Sequence, residues 1–209
     1  MRISKEQAED NRARVLSSAT RLFREKGFAG IGVADIMGAA GMTHGGFYNH
    51  FSSKEALEGQ ACAQALQASV GRMRAVAEVK GAEARRAAIK AYRRRYVSVT
   101  ARDAPAPNCP MVAFAGEMPR QNAAVREAFA RGLKDYLAEF EKASEGKTRS
   151  EAIADFAALA GALILARSVA AADPKLSEEI LAAANARLDR EEVGSGASVE
   201  RTAPHPSRL

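Results

Sequence analysis

Residues 33–54 read VADIMGAAGMTHGGFYNHFSSK, and this stretch decides the fold. Val33, Ile36, Met37 and Ala40 recur at offsets of three and four, the spacing of one apolar face of a short helix. Gly41 is placed to end that helix in the left-handed conformation, and Thr43 to give a hydroxyl N-cap to a second short helix running to about His50. Two short helices about a glycine turn make a helix-turn-helix, whose second helix offers its N-terminal residues to the major groove of DNA. Phe47 and Phe51, four apart, are expected to pin that helix to its domain, leaving His44, Gly45, Tyr48 and Asn49 facing outward.

Composition sets the bounds around this motif. The chain has 209 residues, 47% of them hydrophobic, enough for a substantial buried core. The start, MRISKEQAED, is too polar for a signal peptide, and the longest apolar run, 156–166, is shorter than the roughly 20 residues that span a bilayer. A cytoplasmic protein with no membrane partner is the expectation. Cys62 and Cys109 are too few and too far apart for a disulfide scaffold and are expected as reduced thiols. The net charge of +6 suits a polyanionic partner, yet residues 1–60 carry eight Lys or Arg against seven acids. DNA binding must then rest on particular placed groups. The basic excess in residues 72–102 is read as a solvated helical face.

The remaining chain reads as helices throughout. Residues 6–26 place Val15, Leu16, Ala19, Leu22 and Phe23 on one broad stripe, and Gly27 stops them. Among Arg12, Arg14, Arg21 and Arg24 some are candidates for DNA phosphates. A long helix is expected from Lys54 to about Lys80 with Ser53 as N-cap, and another over 82–100 with Ile89, Tyr92, Tyr96 and Val99 on one face. RDAPAPNCP, residues 102–110, has three prolines and must be a loop, after which Pro110 opens a short helix to about Met118. Residues 120–143 form a clean amphipathic helix, and Thr148 caps one to about Ala171 whose apolar side is unusually small, rich in alanine with Gly161. That side is expected to be covered on two faces. A last helix runs from Pro174 to about Arg190, and residues 191–209 are expected to be a disordered tail.

The run from Asn11 to Leu57, above all GMTHGGFYNHFSSKEAL, resembles the DNA-binding domain of the tetracycline-repressor (TetR) family. One departure is Gly32, where many relatives have Ser or Thr as N-cap. The resemblance implies an all-α chain: a three-helix helix-turn-helix domain over residues 1–53, then a larger helical regulatory and dimerisation domain over 54–190. It implies that the helix opening at Lys54 carries a ligand signal to the DNA-binding unit, and that the last two helices of each subunit form a four-helix homodimer interface. The family pattern places Thr43, Tyr48 and Lys54 on the phosphate backbone, where contacts fix register without reading sequence. His44, Gly45 and Asn49 fall against the bases, and Gly46 is counted with the DNA-binding residues; Asn can pair bidentately with adenine, whereas glycine permits close approach. His50 is left open between a phosphate bond and a structural one.

Cys109 is the other residue with chemical promise. Just before Pro110 at a helix start, the helix dipole is expected to favour thiolate, with Arg167 a candidate to lower the thiol further. The stretch NCPMVAFAGEMPRQNAAVREAF resembles the branch of the family holding electrophile- and oxidant-sensing repressors of the N-ethylmaleimide reductase type. Structural and sensing roles for Cys109 both stay open. The competing signal is a small apolar molecule in a cavity around Met73, Tyr92, Tyr96 and Phe114. His44, His50 and His205 are the only histidines, so no Cys-His couple and no metal cluster is evident, and no cofactor is expected. The sequence is therefore read as a dimeric, sequence-specific DNA-binding regulator, a repressor released from a palindromic operator by a small-molecule or electrophile inducer. A constitutive DNA-binding protein without an effector and a cysteine-dependent enzyme are the alternatives.

Overall fold

The computed structural model describes residues 4–104 and 109–196. The expected loop at 105–108 and the tail from 197 on lie outside the described residues. All regular structure among the described residues is helical. α1 (Lys5–Lys26) starts on Ser4, whose hydroxyl accepts from Gln7 N, and ends at Gly27 with φ +77. α2 (Val33–Ala39) buries Ile36 and Met37, and the unsatisfied amide of Gly32 donates to Asp35 Oδ2 at 2.8 Å. Asp35 thus satisfies the Gly32 amide, while Gly32 has no side chain to accept from the first-turn amides as a Ser or Thr cap would. Gly41 takes φ +70, the left-handed turn that the sequence demands.

α3 (Lys54–Ala77) opens on the Ser53 cap and is the longest strut of the fold. It runs alongside α7 (Ala123–Ala143) in the same direction, as shown by the pairs Glu58–Asn122, Leu66–Gly132 and Arg74–Glu139. Two glycines allow that approach. A Cβ on Gly59 would lie 3.1 Å from Ala124 Cβ, and one on Gly132 would lie 2.5 Å from Leu66 Cβ. α4 (Ala82–Tyr96) stops earlier than its pattern predicts, because the Ser98 hydroxyl accepts from Ala101 N and starts α5 (Val99–Asp103) instead. α6 (Pro110–Phe114) has Pro110 at its first position and continues as a 3-10 turn, Ala115–Arg120.

α8 (Arg149–Val169) begins with a reciprocal capping box between Thr148 and Glu151. It doubles back through a short turn into α9 (Pro174–Gly196), and Ser177 Oγ donates to Ala166 O at 2.8 Å. By length and composition α8 could cross a bilayer; here it packs on α7 and α9 and buries Asp155 against Arg93. Residues 191–196 correct the expected tail boundary: Glu191, Glu192 and Val193 do not break a helix, and α9 runs on to Gly196.

Candidate nucleic-acid interface and buried cysteine centre

The residues after the Gly41 turn form a short 3-10 helix, His44–Asn49, rather than the α-helix expected, and Thr43 makes no side-chain cap bond. Gly45 and Gly46 explain both, since two glycines deprive the segment of helix propensity. What holds it is Phe47. That ring is fully buried, meets Tyr48 edge-on at 5.2 Å and stacks on Phe51 at 5.8 Å. Thr43, His44, Gly45, Tyr48 and Asn49 are exposed along one edge, with Tyr48 71% exposed despite its aromatic ring. Gly46 and His50 are half-buried.

Lys54 stands at the head of α3, with Nζ 3.4 Å from Glu58 Oε1. Burial pushes the Glu58 carboxyl up, against the opposing pull of Lys54 and Asn122. Of the four α1 arginines, Arg12 is committed to the fold: its guanidinium lies 4.5 Å from the Phe51 ring and donates to Gln60 Oε1 at 2.6 Å. Arg14 donates to Ala40 O at 2.6 Å, beside the Gly41 turn, and Arg21 pairs with Glu25. Arg24 is shifted down by burial first and Arg72 second, with Cys109 and Arg167 as its other electrostatic neighbours.

The second constellation lies where α3, α4, α6 and α7 converge. Cys109, Met73, Tyr96 and Phe114 are buried, and Tyr92 is half-buried. Tyr92 Oη and Tyr136 Oη lie 2.8 Å apart. Burial pushes Tyr92 up to about 12. Tyr96 buries its hydroxyl without a well-formed hydrogen bond, with the Cys109 thiol as its polar neighbour. The expected thiolate is not favoured. Burial raises the Cys109 thiol and outweighs the lowering contacts from Tyr96, nearby backbone groups and Arg72. The lowering backbone groups are the Met111 and Val112 amides at the start of α6, so the helix start acts as the sequence suggested but burial outweighs it, and the thiol donates to Met111 Sδ at 3.7 Å.

Arg167, a candidate to lower the Cys109 thiol, donates to Arg102 O at 3.2 Å and Ala101 O at 2.7 Å, tying off the end of α5. Sequence reasoning named Arg24 only as a candidate for DNA phosphates and missed Arg72 and Tyr136. The amphipathic pattern of 120–143 gives Tyr136 no mark that separates it from plain core, and nothing local ties either arginine to Cys109. Cys62 is simpler, with burial alone raising it to about 12. Among the described residues no group of three His, Cys, Asp or Glu is placed to hold a metal.

A packed contact also connects this centre to the first helices. Phe114 packs on Phe28 at 4.8 Å, and Glu117 Oε2 accepts from Phe28 N at 3.0 Å. α8 and α9 share an apolar groove of about 440 Å³ lined by Ala158, Ala162, Leu165, Ile180 and Ala184, with Leu165 57% exposed.

Residues 15–59 match the family described as bacterial regulatory proteins, tetR family. An uncharacterized HTH-type transcriptional regulator of Bacillus subtilis (strain 168), YerO, is 36% identical over 69 residues, 33% of this chain and 24% of that protein. The HTH-type transcriptional repressor DhaR of Mycobacterium sp. (strain GP1) is 47% identical over 49 residues, 23% of this chain and 25% of that protein. The matched stretch thus spans about a quarter of these relatives. Over the whole fold, the crystal structure of reduced E. coli NemR superposes with a TM-score of 0.72 at 22% identity, covering 87% of this chain and 96% of that one. A TetR-family regulator from Agrobacterium tumefaciens gives 0.71 at 22% identity, covering 88% and 98%.

Proposed function

We propose that this chain is a TetR-family transcriptional regulator, a homodimeric repressor that leaves a palindromic operator when a signal reaches the Cys109–Tyr96 centre. The observation that carries the DNA-binding half is the exposed edge Thr43, His44, Tyr48 and Asn49 above a fully buried Phe47, with Lys54 at the start of α3. A tyrosine so exposed beside a buried phenylalanine suits a phosphate contact better than a core role. His44 and Asn49 are the base readers and Gly45 and Gly46 the points of close approach, with Thr43, Tyr48 and Lys54 on the backbone. The half-buried His50 is assigned to the fold.

The homodimer reading is supported by the α8–α9 face, where Ile164, Leu165 and Leu176 are exposed around a groove lined with alanines. Small side chains let a second copy approach closely, and an apolar patch of this kind marks an association surface.

For the signal, the Tyr96 hydroxyl, buried without a well-formed bond beside a raised thiol, favours a small, mostly apolar molecule with one polar group over a covalent reagent. Covalent sensing is the second reading, favoured by the pull of Arg72 on the thiol. A raised thiol has less thiolate at neutral pH than a free cysteine, and the thiolate is the nucleophile. N-ethylmaleimide is therefore expected to label Cys109 more slowly than a free thiol at neutral pH, with the rate climbing as pH rises toward the elevated pKa. Mass spectrometry of time points on the native protein measures this. Labelling at or above the free-thiol rate, with release from DNA that Cys109→Ser abolishes, would replace the first reading by the second.

A further inference from the structure

Lys54 is held from the protein side by polar contacts that end on α7. Its Nζ lies 3.4 Å from Oε1 of Glu58, one turn on. Glu58 is buried, and its other oxygen accepts from Asn122 Nδ2 at 2.8 Å. Asn122 is also the N-cap of α7, its Oδ1 accepting from Val125 N at 3.1 Å. One amide therefore starts α7 with its oxygen and holds Glu58 with its nitrogen. The first turn of α7 rests directly on α3 here, at the close Gly59–Ala124 approach.

A buried carboxylate must be satisfied. With Asn122 supplying a donor, Lys54 gives Glu58 one long contact, and its side chain, 33% exposed, keeps other N–H groups toward solvent. If Asn122 moves away, Lys54 is the partner that remains in this chain of contacts, and Glu58 draws the ammonium inward. The far half of α7 carries Tyr136, in contact with Tyr92 of the cysteine centre, so a shift of that rigid helix reaches Asn122. Residues 1–60 hold eight basic groups against seven acids, so the fate of one lysine matters to a polyanion.

We propose that Asn122 and Glu58 are positioning residues for DNA binding: the Asn122–Glu58 hydrogen bond sets how much of the Lys54 charge reaches a DNA phosphate, and movement of α7 alters affinity by making or breaking it. The inference rests on Lys54 being a phosphate contact, as proposed above.

The test titrates the full chain with a random-sequence duplex at several salt concentrations. Asn122→Ser keeps a capping hydroxyl for α7 but is too short to reach Glu58. It is expected to weaken binding about three- to fivefold, the scale of one surface charge contact, and to flatten the salt dependence toward that of Lys54→Ala. Glu58→Gln is expected to tighten binding by a similar factor, because the competing charge is gone. In a Lys54→Ala background, Asn122→Ser is expected to change nothing further. Thermal melts of each variant run alongside. A merely structural role would lower stability in both variants and leave the salt slope where it was, and that result overturns the inference, as does weaker binding by Glu58→Gln. If Lys54→Ala binds like wild type, the inference and the assignment of Lys54 fall together. If Lys54→Ala weakens binding but the other two leave the slope unmoved, the inference alone falls.

Discussion

Phe47→Ala is expected to destabilise the N-terminal helices by about 3–5 kcal/mol, the range for removing a fully buried aromatic ring, and to abolish DNA binding. The ring is completely buried between Tyr48 and Phe51, and Met37 Cε lies 3.6 Å from the Cβ position of neighbouring Gly46. The segment it anchors is six residues of 3-10 helix with two glycines and no side-chain cap. Such a segment has little intrinsic preference for its conformation, so its placement comes from tertiary packing. Urea unfolding followed by circular dichroism, with duplex binding measured beside it, checks both parts. A loss under about 1 kcal/mol with binding intact would mean that the segment is held by something other than this ring.

Gly132→Ala is expected to destabilise the chain by about 1–3 kcal/mol, the cost of overpacking, whereas Gly71→Ala should stabilise it by about 0.5–1 kcal/mol. The substitution is the same, but the surroundings differ. A Cβ at position 132 meets Leu66 Cβ at 2.5 Å and Cδ1 at 2.9 Å, while one at 71 meets nothing within 4 Å. Leu66 is buried, and its Cβ moves only if the backbone of α3 moves. Separating α3 from α7 would also disturb the Glu58–Asn122 contact, so Gly132→Ala should weaken DNA binding as well as stability. Thermal melts of the two variants, expected to shift in opposite directions, measure this. Melts that shift the same way would show that α3 and α7 do not need the close approach.

Much of the fold was legible because its signals are local. Gly27 and Gly41 announce left-handed turns, Ser53 and Thr148 announce helix starts, and the Phe47–Phe51 spacing separates anchor from reading edge. The same locality hid the rest. The apolar pattern from 82 to 100 continues through the Ser98 cap that divides α4 from α5, and periodicity alone does not register a hydroxyl that restarts a helix. The amphipathic pattern extends back to Arg120, but the cap is Asn122, whose partner Glu58 is 64 residues away. The activation expected for Cys109 followed from its place before Pro110, and burial by residues from four helices reversed it. Arg24 shows the limit most clearly. It lies on α1, within the helices read as DNA-binding, yet its electrostatic neighbours are Arg72, Cys109 and Arg167.

The most direct test of the central claim is a hydroxyl-radical footprint of the full chain on the DNA flanking its own gene. Two reading segments related by a two-fold axis should protect two dyad-related patches about one DNA turn apart, roughly 34–36 Å. A single unpaired, asymmetric patch, or protection that does not depend on sequence, would contradict the account of a dimeric operator-binding regulator.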